Sequence, residues 1–270
     1  MRPINPTPLQ INHIDSCEST NQSLLTAAEE GAPVGSVLVA RGQTAGRGRR
    51  GRAWLAEPGK TLTFSVLWTF PVDPQSINGL SLAVGVALYR ALNVISLGPR
   101  PAGVRFGLKW PNDVLLRTDG LPDAKVGGIL IESVIRKASE GSRELAVVIG
   151  IGLNCLASEA LQSAVIDQPV AALSDGFVDK QTLTPDAFLP VVLDALQHTL
   201  DEFSRTGFAA LRDEWQNAHF WQGAAVRISE AGTPLLDGEV RGVDADGALV
   251  IATPVGIERV VTGDVSLRKV

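Results

Sequence analysis

A chain of 270 residues with 45% apolar side chains can bury one substantial core and a small second one, so a disordered chain is excluded as the default. Its 24 basic residues against 29 acidic ones leave a formal charge of -5, so the surface as a whole does not attract nucleic acid and any polyanion must be met locally. Two cysteines, Cys17 and Cys155, are too few for a disulfide framework, and with His13, His198 and His219 scattered no spacing fits a metal site.

The opening MRPINPTPLQ carries prolines where a secretory signal needs an apolar block, which predicts a cytoplasmic protein with reduced thiols. The longest uncharged apolar stretch, Leu145 to Ala157, is shorter than the roughly 20 residues a bilayer requires and contains Asn154, so no membrane span is expected. The segment ahead of Ser19 is too short for a helix-turn-helix, which predicts a chain without a DNA-binding domain.

Ser19 or Thr20 caps a predicted helix that runs to Glu30 and closes at Gly31. Val34 to Arg41 reads as a strand. Leu62, Phe64, Val66 and Trp68 then alternate with Thr61, Thr63, Ser65 and Thr69, the period of a half-buried strand. From Ile77 to Ile95 apolar residues recur at helical spacing, and strands follow at Leu108 to Trp110, Val114 to Arg117, Val126 to Val134 and Leu145 to Leu153. After a looser region, helices are predicted over Pro185 to Phe203 and Phe208 to Asn217. From Gln222 onward four short strand candidates (Ala225 to Ser229, Gly238 to Val243, Leu249 to Ala252, Ile257 to Thr262) are divided by turn chemistry, a small all-β barrel module. The fold class is α+β, with a mixed sheet and helices over 1–221 and a small β-barrel over 222–270.

The most informative segment is Gln43 to Trp54, QTAGRGRRGRAW, where permanently charged arginines alternate with glycines that let a ligand approach the backbone. Gly46, Gly48 and Gly51 match a dinucleotide fingerprint, but the following residues contain Pro58 and Gly59 and no helical stripe. Gly59, Lys60 and Thr61 imitate the end of a Walker A loop whose first glycine would fall at Trp54. A solvated surface turn and a single-stranded RNA site are the competing readings of the arginines.

Lys109 to Asp113, KWPND, places two polar side chains after a proline, which on its own reads as a turn. Lys125 beside Gly127 and Gly128 suggests an ammonium and bare backbone converging on a compact ligand. Gly150 and Gly152, alternating inside the apolar strand that ends at Asn154, imply that something else needs the space on their face, either a packed neighbour or a flat ring.

Taken together and in order, STN (Ser19 to Asn21), QTAGRGRRGRAW, KWPND, KVGGILIE, IGIGLN and the closing GDVSLR resemble the bacterial biotin protein ligases. The resemblance implies a catalytic domain of the biotin/lipoate ligase type followed by an SH3-like domain, in the form without a DNA-binding domain. It implies formation of biotinyl-5'-AMP from biotin and ATP, with Mg²⁺, and transfer of biotin to a lysine of the biotin carboxyl carrier protein of acetyl-CoA carboxylase. A lipoate or octanoate ligase is the neighbouring alternative.

By that resemblance Ser19, Thr20, Asn21 and Gln43 hydrogen-bond biotin, with Gly46, Arg47, Gly48, Arg49, Lys125, Gly128, Gly150 and Gly152 around it. Arg49, Arg52, Trp54, Lys109, Asn112, Lys125 and Asn154 fall to ATP and the adenylate, and Lys125, Arg47, Arg49 and Asp113 to catalysis. Asp113 is the candidate for orienting the acceptor amine or taking its proton, with a Mg²⁺ role as the rival. Gly127 stands where the family commonly has a larger residue, which predicts looser packing there. An exposed sheet edge offers pairing with the carrier or with a second copy, as a homodimer.

Overall fold

The computed structural model describes residues 7–94, 99–138, 141–159, 161, 168–179, 183–230, 232–261 and 265–269. Strands β1 (Gln10–Cys17), β2 (Ser36–Gln43), β3 (Thr61–Phe70), β4 (Val104–Lys109), β5 (Asp113–Thr118), β6 (Ala124–Lys137) and β7 (Arg143–Asn154) form one sheet in the order β1-β2-β3-β7-β6-β5-β4. β1 and β2 run parallel and the other neighbours antiparallel, so the sheet is mixed as expected. Four α-helices accompany it among the described residues: α1 (Thr20–Glu29), α2 (Leu80–Val94), α3 (Pro185–Thr206) and α4 (Arg212–Ala218). A second, antiparallel sheet contains β8 (Ala225–Glu230), β9 (Thr233–Val243), β10 (Leu249–Thr253), β11 (Gly256–Val260) and β12 (Val265–Lys269) in the order β11-β10-β9-β8-β12.

Ser19 is the cap of α1: its backbone is extended and its hydroxyl accepts from the Gln22 N–H. β2 starts two residues later than expected because Gly35, at φ 85°, still belongs to a turn. α2 starts at Leu80 because Asp73 caps a short 3-10 turn over Pro74–Ile77 and Gly79 takes φ 74°. Ile95 lies outside the described residues. β1 and β12 were not legible: β1 is an almost wholly exposed edge with no apolar alternation, and β12 has five residues.

β3 corrects the expectation of a half-buried strand. Leu62, Phe64 and Val66 pack into the large core with Val84 and Leu88 of α2 and Leu189 and Leu193 of α3. Its other face is covered too: Leu67 packs with Ala146, Val148 and α1 residues Leu24 and Ala28. Thr63 and Ser65 are 4% and 0% exposed, so the polar half of the alternation points at a protein interior and not at water. That interior is the site.

Candidate active site

Strand register places the site on the α1 face of the sheet. Thr63 of β3 lies opposite Gly152 of β7, which lies opposite Gly128 of β6; Ser65, Gly150 and Leu130 form the next row. Paired residues share a face, so the glycines leave a shallow floor between hydroxyls on one side and Lys125 on the other. The chain itself fills part of that room. A Cβ on Gly150 would collide with the Asn21 carboxamide, and one on Gly152 would fall inside the Trp54 indole. The flat ring on the glycine face is therefore the protein's own Trp54.

Asn21 is a wall of the pocket with both ends of its amide committed. Its oxygen accepts from Ser65 Oγ at 2.6 Å, and its Nδ2 donates to Glu132 at 2.9 Å and to the Leu130 carbonyl at 3.4 Å. Ser65 Oγ also lies 2.8 Å from Thr20 Oγ1, and the Gln43 carboxamide oxygen accepts from the Thr20 N–H at 2.7 Å. Gln43, Thr20, Ser65, Asn21 and Glu132 thus form one network. Ser65 and Glu132 were not singled out from the sequence, although the polar residues of the β3 alternation were the signal for the first.

Lys109, Asp113 and Lys125 meet at the other side. β4 and β5 are joined by the tight Trp110–Pro111 turn, so Lys109 and Asp113 face each other across the hairpin, with Nζ to Oδ2 at 3.4 Å. Lys125 reaches the other oxygen at 2.5 Å. A register shift against β5 between Val114 and Leu115 is what aims it: Val126 turns into the core, 0% exposed, and Lys125 turns to the pocket face. The ammonium then lies over Gly128, where an added Cβ would sit 3.1 Å from Nζ. Gly127 corrects the expectation of loose packing, because a side chain there would run into Leu153.

Two ammonium groups share one carboxylate in a buried place, leaving net positive charge. Burial pushes the Lys109 ammonium down to about 8 despite the Asp113 charge beside it. Burial pushes the Asp113 carboxyl up, but Lys125 and Lys109 outweigh it and hold the group at about 2. Gln168 completes the cluster, its carboxamide oxygen accepting from Lys109 at 3.1 Å.

The arginine-rich segment is a short closed loop. Trp54 N–H donates to the Gly46 carbonyl at 2.8 Å and Gly48 N–H to the Arg52 carbonyl at 2.7 Å, with Arg47 bridged to Ala53. Arg50 takes φ 63° at the tip, an unusual conformation for a residue with a side chain. Arg47 donates to Gln22 at 2.9 Å and lies 3.6 Å from Glu132, while Arg49 reaches Asn112 at 3.5 Å. Asn112 is in turn tied to β6, donating to the Ile129 carbonyl at 2.8 Å.

All of the biotin, ATP and catalytic candidates named above line one cavity of about 800 Å³. Ser266, Leu267 and Arg268 of β12 close its rim, so the second sheet contributes to the site. Two polar atoms in the cavity wall, Trp54 Nε1 and Thr63 Oγ1, are buried with no hydrogen-bond partner among the described residues. Gly152→Ala is expected to displace the indole and weaken ligand binding by about tenfold or more, read by calorimetry, without loss of the fold.

The model of the Biotin/lipoate A/B protein ligase family matches residues 14–154, and that of the Biotin protein ligase C terminal domain matches residues 223–268. The chain belongs to the Biotin/lipoate A/B protein ligase family. The match over its second sheet places it among the biotin protein ligases. Similar proteins include the Biotin--[acetyl-CoA-carboxylase] ligase of Paracoccus denitrificans, 33% identical over 243 residues that cover 88% of this chain and 92% of that one. The Bifunctional ligase/repressor BirA of Escherichia coli is 30% identical over 251 residues, 93% of this chain and 72% of that one. Among solved structures, the biotin protein ligase from Aquifex aeolicus in complex with biotin and ATP superposes with a TM-score of 0.71 at 26% identity, over 96% of this chain and 99% of that one.

Proposed function

We propose that the chain joins biotin to ATP as biotinyl-5'-AMP and passes the biotinyl group to a lysine of a biotin carboxyl carrier protein, with 1–221 as catalytic domain and 222–270 as SH3-like domain. The observation that carries this reading is the pair of ammonium groups on a single buried carboxylate, facing an arginine loop across one cavity. Adenylation brings a carboxylate against a triphosphate, and fixed cations in a partly dry site offset their repulsion at no reorganisation cost. Biotin-dependent pyrophosphate release, absent with lipoate in place of biotin, followed by labelling of the carrier, tests it. Release with lipoate alone would move the chain to the neighbouring ligases.

In the first step a biotin carboxylate oxygen attacks the α-phosphorus and the bond to the β-phosphate bridge breaks, releasing pyrophosphate. Lys125, turned over Gly128, is the group for the carboxylate and then for the adenylate phosphate; Lys109 and Arg49 neutralise the nucleotide side. Thr20, Gln43 and the backbone of Gly46 to Arg49 suit the polar ring of biotin. Trp54 Nε1 and Thr63 Oγ1 are unsatisfied groups that a ligand heteroatom relieves. We propose that Mg²⁺ arrives with the substrate, carried on the triphosphate, because Asp113 is engaged by two ammonium groups.

In the second step the acceptor amine attacks the acyl carbon, the bond from that carbon to the phosphate oxygen breaks so that AMP leaves, and the amine gives its proton to solvent or to the departing phosphate. That amine has a free pKa of about 10.4. A carboxylate held at about 2 is a poor acceptor for its proton. We therefore assign Asp113 to orienting the cluster.

The mixed anhydride must be kept from water until the carrier arrives. The loop from Gly46 to Trp54 is suited to close over it, being anchored at both ends and held to the pocket wall through Arg47 and Arg49. Arg49→Ala is expected to form biotinyl-5'-AMP but to release it, seen as roughly tenfold faster appearance of free adenylate and AMP without carrier. Retention equal to the unaltered enzyme would remove that role. No described helix is long and apolar enough to cross a membrane, and two free thiols suit a cytoplasmic location. Among the described residues the outer edge of β1 has no partner strand, and it offers backbone groups to the carrier or to a second copy, the latter tested by sedimentation.

A further inference from the structure

The Lys109 ammonium rests on an aromatic ring that the chemistry above does not use. Its Nζ lies 4.6 Å from the centroid of Trp221, a residue 7% exposed in the segment between α4 and β8. The ring is held by its edge. Trp221 Nε1–H donates to Asp123 at 2.8 Å, and the same carboxylate accepts from Arg117 at 2.6 and 2.8 Å and from Lys269 of β12 at 3.1 Å. With its in-plane direction set by Asp123, the indole presents a face to Lys109.

The ammonium needs such a neighbour. It is 4% exposed, and the oxygen of Asp113 that it approaches is 3.4 Å away, while the shorter contact of that carboxylate goes to Lys125. The other charged groups that act on it are unfavourable, Lys125 on β6 and Arg268 on β12, while Lys269, whose Nζ is 5.3 Å from the Trp221 ring centroid, is paired with Asp123. His219, beside the same strand, is kept neutral by burial, its pKa pushed down to about 3, and Arg117 is neutralised by Asp123. Gln168 adds an uncharged acceptor. A buried cation is stabilised by the negative face of an aromatic ring, most strongly by that of tryptophan.

We propose that Trp221 is a positioning residue of the adenylation site, whose indole face keeps the Lys109 ammonium seated and charged where the phosphates of ATP arrive. This rests on the biotin- and ATP-binding reading given above. It adds a residue from the junction of the two sheets that no motif of the first 154 residues contains.

The test is the pH dependence of kcat/KM for ATP in biotin-dependent pyrophosphate release, which reports the free enzyme. The unaltered enzyme is expected to lose activity on an alkaline limb near the Lys109 value of about 8, and Lys109→Arg, which does not titrate in that range, to lack this limb. Trp221→Leu is expected to move the limb down by about one pH unit, so that kcat/KM falls roughly tenfold above pH 8 and little near pH 6. Trp221→Phe, with a weaker ring, is expected to move it by about half as much. A loss equal at every pH, or a limb unmoved in both variants, would overturn the assignment and leave Trp221 as packing. Should Trp221→Leu not fold, the Phe variant alone decides. Absence of pyrophosphate release in the unaltered enzyme would instead remove the underlying functional reading.

Discussion

Lys125→Met is expected to lose biotin-dependent pyrophosphate release by about a hundredfold or more, while the protein keeps its fold. Two effects add. The methionine chain has similar reach but no charge, so in the proposed mechanism the reacting carboxylate and phosphate lose a cation. Asp113, freed from its 2.5 Å contact, then turns a second negative charge toward the same space, offset by Lys109 alone. Because Lys125 is partly exposed, with a side chain at 20%, the cost falls on chemistry more than on stability. Circular dichroism and the melting temperature check the fold, and retained pyrophosphate release would show that the loop arginines carry the reaction.

Asp113→Asn is expected to lower both stability and adenylation. The carboxylate is the shared counter-ion of two ammonium groups, one of them almost fully buried. Removing one partner from a buried ionic cluster costs about 3 kcal/mol or more where the remaining charge cannot escape. Lys109 has an escape. Its pKa is already about 8 because burial depresses it against the pull of Asp113. Without that pull it falls further, and at neutral pH the lysine sheds its proton. The pocket then has one cation fewer, so adenylation drops, and lowering the assay to about pH 6 is expected to restore part of it as Lys109 regains its charge. Transfer from supplied biotinyl-5'-AMP is expected to suffer less. The reverse pattern, with transfer lost and adenylation intact, would return to Asp113 the role of accepting the amine proton.

Most of the fold was legible because its signals are local. The Ser19 cap, the helical stripe before Val94 and the turn chemistry between β8 and β11 each depend on neighbours a few residues apart. The alternation in β3 marks a strand but not its burial, since alternation of Thr and Ser with apolar residues is the same whether the polar face meets water or a pocket. β1 carries no such signal, because an edge strand in register with a single neighbour needs no apolar pattern. At the site, the ordered motifs named side chains that the fold brings to one cavity, while Gln168 and Trp221 carry no local mark.

The amino-acid sequence by itself determined the chemical inventory: permanent cations in a glycine-rich loop, a lysine beside two glycines, a strand stripped of side chains on one face. It also determined the order in which these appear. Tertiary structure alone decided that Val126 bulges into the core so that Lys125 faces the pocket, that Trp54 lies on Gly152, and that one carboxylate serves two lysines. The physical reason is range. Backbone preference and hydrophobic period act over a turn or a strand, whereas charge state depends on burial and on distances of a few ångströms between residues far apart along the chain, which packing sets.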